Sequence, residues 1–212
     1  MIRVFKFDYN SEDDLYANTY VIADENKDAV VIDPSIDNDK LILFLKKNSL
    51  SPKAVLLTHG HFDHIQGVKF LVDEYGIPIY LHQNEIKTVD NPKLNCSFFS
   101  NKEVALNLEY HTIKNGDILN LLANEEIEVI YTPFHTDGSV CYFLRNSKKL
   151  FSGDTLFKGS VGRDDLATSQ PERRKESIEK IKMLPDEIVV YPGHGMNTTI
   201  GEEKTLNVFF KW

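Results

Sequence analysis

Three histidines and one aspartate lie within six consecutive positions, at His59, His61, Asp63 and His64, directly after the apolar run 54–57. The chain contains only seven histidines among its 212 residues, so ordinary surface composition does not explain this cluster. Neutral imidazole nitrogens and carboxylate oxygens are ligands for Zn²⁺, Fe and Mn, whereas structural zinc sites normally use cysteine as well. The cluster therefore predicts a catalytic metal site.

Three later segments place a histidine or aspartate where an apolar stretch ends beside proline or glycine. Loops at strand ends are where catalytic groups sit on a rigid scaffold. Each of these residues alone is more often a turn or hydrogen-bonded residue, but the early cluster needs partners from elsewhere in the fold to complete coordination. We therefore predict seven metal ligands: His59, His61, Asp63, His64, His135, Asp154 and His194.

Seven ligands suit two divalent cations. A carboxylate can bridge two cations that lie ~3.5–4 Å apart, so Asp154 is predicted to be the shared ligand. The other ligands divide into one set of His59, His61 and His135 and a second set of Asp63, His64 and His194. Zn²⁺ is favoured, with Fe or Mn as alternatives, because His and Asp ligands accept all three metals.

The composition is that of a folded protein with an acidic surface. The 24 Lys and Arg residues against 32 Asp and Glu residues give a net charge of -8, which repels a phosphate backbone, so no nucleic-acid partner is expected. No apolar run approaches the ~20 residues that span a bilayer, and the first residues lack the pattern of a secretory signal. Cys96 and Cys141 are expected to be buried reduced thiols. A cytoplasmic location without a membrane partner is therefore predicted, and the oligomeric state is left open.

Alternating and periodic apolar residues predict the elements that must carry these ligands. Strands are predicted at 2–7, 18–22, 29–33, 54–57, 77–81, 109–113, 128–131, 139–144, 149–152 and 187–191. Helices are predicted at 37–47, at 65–76, at 172–183 and near the end of the chain, with helix and loop over 84–108. Two such mixed β-sheets stacked face to face, with helices outside, predict an α/β four-layer αββα sandwich formed by one domain, 1–212.

The motif His59-x-His61-x-Asp63-His64 with its later ligands closely resembles the metallo-β-lactamase superfamily. Within it, residues 132–139, 152–157 and 191–195 resemble the glyoxalase II (hydroxyacylglutathione hydrolase) branch, and residues 160–166 resemble its short bacterial members. The resemblance implies the αββα sandwich. It also implies hydrolysis of a small-molecule thioester such as S-lactoylglutathione, with an anionic substrate among the expected ones. The longer enzymes hold glutathione partly through a C-terminal domain; because this sequence stops at Trp212, no such domain is expected here.

The predicted reaction is attack of metal-bound hydroxide on the acyl carbon, with Asp63 as the catalytic residue that both ligates and orients the nucleophile. Arg163, Lys158 and Tyr191 are the candidate substrate-binding residues. Asp33 and Asn18 are candidates for hydrogen bonds to ligands or waters around the metals.

The main alternative is an oxidoreductase similar to persulfide dioxygenases, which share the fold and use a single Fe²⁺, here held by His59, His135 and Asp154. A true β-lactamase is less favoured because those enzymes typically lack an aspartate at the position of Asp154. A flavodiiron protein is less favoured because His61 stands where that family carries Glu. A metal that only stabilises the fold is a further alternative, although structural sites rarely use two adjacent metals.

Overall fold

The computed structural model describes residues 1–8, 16–36, 39–100 and 102–211. Within them, twelve strands form: β1 (Arg3–Phe7), β2 (Thr19–Ala23), β3 (Asp28–Ile32), β4 (Ser51–Leu56), β5 (Ile79–His82), β6 (His111–Ile113), β7 (Ile118–Leu122), β8 (Glu125–Tyr131), β9 (Val140–Leu144), β10 (Lys149–Gly153), β11 (Val189–Pro192) and β12 (Thr198–Thr199). The helices of the same residues are α1 (Asp39–Lys47), α2 (Phe62–Ile65), α3 (Val68–Tyr75), α4 (Ile86–Val89), α5 (Arg174–Lys182) and α6 (Ile200–Leu206). Short 3₁₀ turns lie at Gln83–Glu85, Ser97–Phe99, Pro171–Arg173 and Val208–Phe210. No helix among the described residues is long and apolar enough to cross a membrane.

The strands form two six-stranded mixed sheets. The first has the order β1-β2-β3-β4-β5-β6 and the second the order β12-β11-β10-β9-β8-β7. In the first sheet β3, β4, β5 and β6 are parallel, and in the second β10 and β11 are parallel while β8 and β10 both pair antiparallel with β9. The carboxyl ends of β3 and β4 therefore share one edge of their sheet, and those of β8, β10 and β11 share one edge of theirs.

Alternation along the strands separates the apolar side chains into three buried layers. In β2, Tyr20 and Ile22 face the second sheet, whereas Val21 and Ala23 face the helices that cover the first sheet. Because successive side chains of a strand point to opposite faces, each central strand contributes to two layers. The outer layers contain residues of α1 and α3 against the first sheet and residues of α5 and α6 against the second.

The predicted four-layer αββα sandwich is thus confirmed. The structure adds two strands that the sequence pattern did not predict, β7 and β12, and it resolves 84–108 into α4, 3₁₀ turns and loops. The helix predicted at 65–76 forms as α3, which begins at Val68, whereas Ile65 ends the separate short helix α2. Gly76 ends α3 in a left-handed conformation, as its position in the sequence indicated. The predicted cap Asp37 lies outside the described residues.

Hydrogen bonds join the two sheets at the edge where these strands end. The Tyr142 hydroxyl of the second sheet donates to the carbonyl of Leu57 at 2.8 Å, and the Val140 N–H donates to the carbonyl of Thr58 at 2.9 Å. On the other side, the Tyr20 hydroxyl of the first sheet donates to the carbonyl of Pro192 at 2.7 Å. The positions of the two sheets at this edge are therefore fixed by directional bonds as well as by apolar contact.

We expect Tyr142→Phe to lower the free energy of unfolding by about 1–3 kcal/mol, because the buried Leu57 carbonyl loses a donor that water does not replace. Tyr75→Phe is the matched control, since the buried Tyr75 hydroxyl forms no hydrogen bond with any described residue. Urea denaturation of both variants measures the difference. Equal destabilisation by the two substitutions would contradict a specific role for the bond between the sheets.

Candidate metal centre

The strand ends bring the seven predicted ligands to one place. His59 and His61 follow β4, Asp63 and His64 lie on the short helix α2, and His135, Asp154 and His194 follow β8, β10 and β11 respectively. The first four belong to the chain segment after a strand of the first sheet, and the other three to the second sheet. The cluster therefore lies across the boundary between the two sheets.

The first set of predicted ligands is almost completely buried. Potential ligand atoms of His59, His61 and His135 all lie within 4.8 Å of one another. His61 Nδ1 is 3.0 Å from His135 Nε2, and the three side chains belong to residues that are 1%, 5% and 3% exposed. Three imidazoles in this arrangement are suited to a single divalent cation.

The second set is Asp63, His64 and His194, whose potential ligand atoms also lie within 4.8 Å of one another. Asp63 Oδ2 is 3.1 Å from His194 Nε2 and 3.7 Å from His64 Nε2. The side chain of His194 is 26% exposed, whereas that of His64 is fully buried. The second set is thus the side of the cluster that meets solvent.

Asp154 lies between the two sets. One carboxylate oxygen, Oδ1, is 3.3 Å from His64 Nε2, and the other, Oδ2, is 3.5 Å from His135 Nε2 and 3.7 Å from His194 Nε2. A carboxylate that reaches nitrogens of both sets has the position required of a bridging ligand.

Asp33 and Thr58 fix the orientation of two of the imidazoles. The Asp33 carboxylate accepts hydrogen bonds from the Thr58 N–H at 2.8 Å, the Thr58 hydroxyl at 2.6 Å and His64 Nδ1 at 2.9 Å. Because the Thr58 hydroxyl gives its only hydrogen to Asp33, its oxygen is free to accept from His59 Nδ1, 3.1 Å away. In their neutral forms, both histidines therefore direct an unprotonated Nε2 at the cluster, as a metal ligand must.

The other two histidines of the first set, His61 and His135, are oriented by a hydroxyl and a carbonyl. His135 Nδ1 donates to the carbonyl of Arg163 at 2.7 Å, which leaves Nε2 for the cluster. His61 Nε2 lies 3.2 Å from the Thr168 hydroxyl, so His61 presents Nδ1 instead. The sequence did not identify the Arg163 carbonyl, because a backbone carbonyl carries no side-chain signal. Thr168 was missed because nothing in the sequence places its hydroxyl beside a histidine that lies 107 positions earlier.

Burial and neighbouring charges shift the pKa values of the cluster in two directions. Burial, together with the nearby imidazoles, lowers the pKa of His59 well below its usual range and that of His61 to about 3. Burial also opposes protonation of His64, but Asp154, Asp63 and Asp33 outweigh it and raise the His64 pKa. His59 and His61 are therefore neutral at pH 7, in the protonation state that binds metals.

Several atoms of the cluster are buried without a hydrogen bond, and these test whether the site fits a metal. They are His59 Nε2, His64 Nε2 and Asp154 Oδ1, and the last two are not oriented as a hydrogen bond despite their separation of 3.3 Å. A buried polar atom without a partner costs about 1–3 kcal/mol, so a group of them in one place requires compensation. Each of these atoms belongs to a predicted ligand, so the residues fit divalent cations.

Two glycines allow the ligand loops to approach one another. A Cβ on Gly193 would collide with Asp154 Oδ1 and would lie 2.8 Å from His64 Cε1. Gly153, directly before Asp154, has a φ of +49°, and a Cβ there would collide with the Thr58 hydroxyl. Only glycine permits this spacing at both positions.

The other predicted site residues occupy different surroundings. Asn18 Nδ2 donates to the carbonyls of Pro192 at 2.9 Å and Gly195 at 3.1 Å, so it supports the backbone on both sides of His194 rather than a ligand side chain. Asp33 contacts His64 directly, as its prediction required.

The three candidate substrate residues have different surroundings. The Arg163 guanidinium is exposed and pairs with Asp165 at 2.6 Å, and Lys158 is exposed in the turn that follows β10. The Tyr191 ring stacks on Phe151 in the apolar layer between the sheets, with ring centroids 4.9 Å apart. Contacts of these three residues with a substrate stay predictions. The observed role of Tyr191 is packing between the sheets.

We expect Asp33→Asn to weaken metal binding by about 10–100-fold, because an amide cannot accept all three hydrogen bonds and His64 loses its fixed orientation. Competition with a chromogenic chelator for Zn²⁺ measures the affinity. Asp24→Asn is the matched control, since the buried Asp24 carboxylate also accepts three hydrogen bonds, from the N–H groups of Asn26, Asp28 and Ala123. If both variants bind Zn²⁺ as tightly as the wild-type protein, Asp33 has no role in metal binding.

Comparison with curated proteins identifies relatives that match nearly the whole chain. The probable metallo-hydrolase YqgX of Bacillus subtilis (strain 168) is 35% identical over 197 residues, which is 92% of each protein. Hydroxyacylglutathione hydrolase GloC of Haemophilus influenzae is 33% identical over 204 residues, which is 91% of this chain and 92% of GloC.

Several solved structures superimpose on nearly the whole chain. BLEG-1, described as a B3 metallo-beta-lactamase, superimposes with a TM-score of 0.90 and 36% identity over 100% of both chains. TTHA1623 in a di-iron-bound form gives a TM-score of 0.82 and 33% identity over 91% of this chain and 94% of its own. ETHE1 from Myxococcus xanthus superimposes with a TM-score of 0.75 and 28% identity, and the match covers 98% of this chain and 83% of the ETHE1 chain. The family model of the metallo-beta-lactamase superfamily matches residues 13–194, and the chain belongs to that superfamily.

Proposed function

We propose that this protein is a metal-dependent hydrolase that cleaves a small-molecule thioester such as S-lactoylglutathione, and that it uses two divalent cations, with Zn²⁺ favoured. Membership of the metallo-beta-lactamase superfamily supports a metal-dependent hydrolase. Similarity to the hydroxyacylglutathione hydrolase GloC supports a thioester as the substrate. The two free cysteines, Cys96 and Cys141, fit a reducing compartment, so we place its action in the cytoplasm.

The observation that carries the proposal is the position of the Asp154 carboxylate between two complete sets of three ligands. Each set has its potential ligand atoms within 4.8 Å of one another, and Asp154 reaches nitrogens of both. These residues would hold two divalent cations next to each other, which is the ligand arrangement of two-metal hydrolytic sites.

Bound divalent cations would supply Lewis acidity, which lowers the pKa of a bound water toward neutrality and polarises a carbonyl oxygen. His59, His61 and His135 would hold one cation and Asp63, His64 and His194 the other, with Asp154 shared. Asp63 is the acidic residue of the exposed set, and its carboxylate can accept a hydrogen bond from the attacking water and orient it toward the acyl carbon. The thiolate of a thioester is a good leaving group, so the reaction needs no separate acid.

Substrate would enter beside His194. This histidine is the most exposed of the three second-set side chains, at 26%, against 15% for Asp63 and 0% for His64. The aromatic ring of Phe157 lies edge-on to His194 with centroids 6.0 Å apart and forms an apolar wall there. Arg163, on the neighbouring loop, is proposed to attract an anionic part of the substrate.

A mononuclear-iron enzyme of the persulfide dioxygenase type is the second candidate, because two histidines and one aspartate also converge here, with His135 Nε2 3.5 Å from Asp154 Oδ2. It would use His59, His135 and Asp154. In that case Asp63, His64 and His194 would converge without a cation, although Asp63 and His194 are 3.1 Å apart and His64 Nε2 forms no hydrogen bond within the described chain. The second ligand set therefore favours the hydrolase.

Elemental analysis of the purified protein, combined with activity assays, separates these candidates. We expect two metal ions per chain and hydrolysis of S-lactoylglutathione or of another acyl thioester. One iron per chain with oxygen uptake on a glutathione persulfide would support the dioxygenase. Hydrolysis of a β-lactam without hydrolysis of any thioester would contradict the proposed substrate class.

We expect Asp63→Ala to reduce kcat for thioester hydrolysis by about 10²–10⁴-fold while the protein stays folded, because the attacking water loses its orienting carboxylate. Steady-state kinetics and circular dichroism measure the two effects. Asp73→Ala on α3 is the control, since among the described residues its exposed carboxylate pairs only with Lys69 of the same helix. Unfolding of the Asp63 variant, with no folded but inactive form, would indicate that the metal only stabilises the structure.

A further inference from the structure

We infer that Glu85 is a positioning residue of the metal centre, which holds the loop after β4 and the loop after β8 at a fixed separation. The inference rests on the proposed function only in taking the site to hold divalent cations, and it does not depend on the substrate. Glu85 lies in the 3₁₀ turn Gln83–Glu85 after β5, within the part of the sequence whose pattern was least informative.

Both oxygens of the Glu85 carboxylate are used, and each binds a different loop. Oε2 accepts a hydrogen bond from the N–H of Gly60 at 2.7 Å, and Oε1 accepts one from the N–H of Gly138 at 2.7 Å. Glu85 is only 1% exposed. Hydrogen bonds to an ionised acceptor are roughly twice as strong as neutral ones, so a buried carboxylate makes an effective link between two backbones.

The two residues that donate to Glu85 are glycines because the carboxylate approaches so closely. A Cβ on Gly60 would lie 2.8 Å from Glu85 Oε2, and a Cβ on Gly138 would lie 2.5 Å from Glu85 Cγ. Neither distance occurs for real Cβ atoms, so any other residue would displace Glu85 or the loop. The two glycines and the glutamate therefore form one interlocking unit.

The linked loops carry the three imidazoles of the first ligand set. Gly60 lies between His59 and His61. Gly138 lies in the turn directly after His135, where the Ser139 N–H donates to the Thr136 carbonyl at 3.3 Å and the Thr136 N–H donates to the Ser139 hydroxyl at 3.1 Å. The first loop follows a strand of one sheet and the second loop a strand of the other. Glu85 thus links the two sheets at the place where His61 Nδ1 and His135 Nε2, one from each sheet, lie 3.0 Å apart.

A second contact strengthens the same link. Asn84 Nδ2 donates to Asp137 Oδ2 at 3.0 Å, one residue before Gly138, and the Tyr131 hydroxyl donates to the Asp137 carbonyl at 2.7 Å. The 3₁₀ turn is therefore attached to the β8 loop at two neighbouring points. Glu85 itself bonds backbone N–H groups and no ligand side chain, so its effect on the metals acts through the positions of His59, His61 and His135.

The chain offers a matched control at the opposite edge of the second sheet. Glu125, at the start of β8, is 4% exposed, and its carboxylate accepts from the N–H groups of Asn146 at 2.8 Å and Ser147 at 3.1 Å. It links two backbone N–H groups as Glu85 does, but in the turn between β9 and β10, away from the ligands. A loss caused only by removing a buried carboxylate would appear equally in Glu125→Gln.

The test compares Glu85→Gln with Glu125→Gln by chelator competition for Zn²⁺ and by the absorption spectrum of the Co²⁺-loaded protein. In Glu85→Gln the amide NH₂ faces one of the two backbone N–H groups, so one loop is released. We expect about 10–100-fold weaker Zn²⁺ affinity and an altered Co²⁺ spectrum in Glu85→Gln, with wild-type affinity and spectrum in Glu125→Gln. Wild-type affinity in Glu85→Gln, or an equal loss in both variants, overturns the inference.

If Glu85→Gln does not fold, Gly138→Ala provides the same test with the carboxylate retained, because the new Cβ displaces Glu85 from the loop. It is expected to weaken Zn²⁺ binding by a similar factor, and unchanged affinity would overturn the inference. Absence of Zn²⁺ or Co²⁺ binding by the wild-type protein would overturn it as well. Failure of thioester hydrolysis by a wild-type protein that binds metal overturns the proposed function alone.

Discussion

The structure depends on a concentration of imidazole and carboxylate groups that the polypeptide alone does not satisfy. His59 Nε2, His64 Nε2 and Asp154 Oδ1 are buried without hydrogen bonds in the described chain, and His61 and His135 direct ring nitrogens at each other across 3.0 Å. Burial of such groups is unfavourable unless a charge of opposite sign or a set of donors compensates for the lost water. A cation satisfies imidazole lone pairs and carboxylate oxygens together, which hydrogen-bond donors of the fold do not do here.

The surrounding architecture follows from the need to hold these groups in place. Parallel strands deliver their carboxyl ends to one edge, and the inter-sheet bonds from Tyr142, Val140 and Tyr20 fix the two edges against each other. Outside the ligands, Asp33 determines which nitrogen of His64 faces inward, and Asn18 supports the backbone around His194. The fold and the site are therefore coupled, because the same strand ends that form the sheet contact also carry the ligands.

The sequence was most informative where side-chain chemistry and strand periodicity coincide. The His59 to His64 motif could be identified from its density of His and Asp, and the later strand-end ligands because this cluster needs partners from elsewhere in the fold. The two-sheet fold followed from the order of the strands. Strand β12 was missed because two residues carry no periodicity, and β7 because Ile118–Leu122 is nearly uniform in polarity. The pattern also gave no way to know that Tyr191 faces the inter-sheet layer, or that Arg163 contributes its carbonyl to His135.

The uneven burial of the two ligand sets has a consequence for how the site would fill and empty. The side chains of His59, His61 and His135 are enclosed by the strand-end loops of both sheets, whereas His194 is 26% exposed and Asp63 15% exposed. A cation at the enclosed position would have to shed its hydration shell among buried ligands. If the site holds two cations as proposed, the enclosed ion would therefore exchange more slowly than the ion at the exposed set.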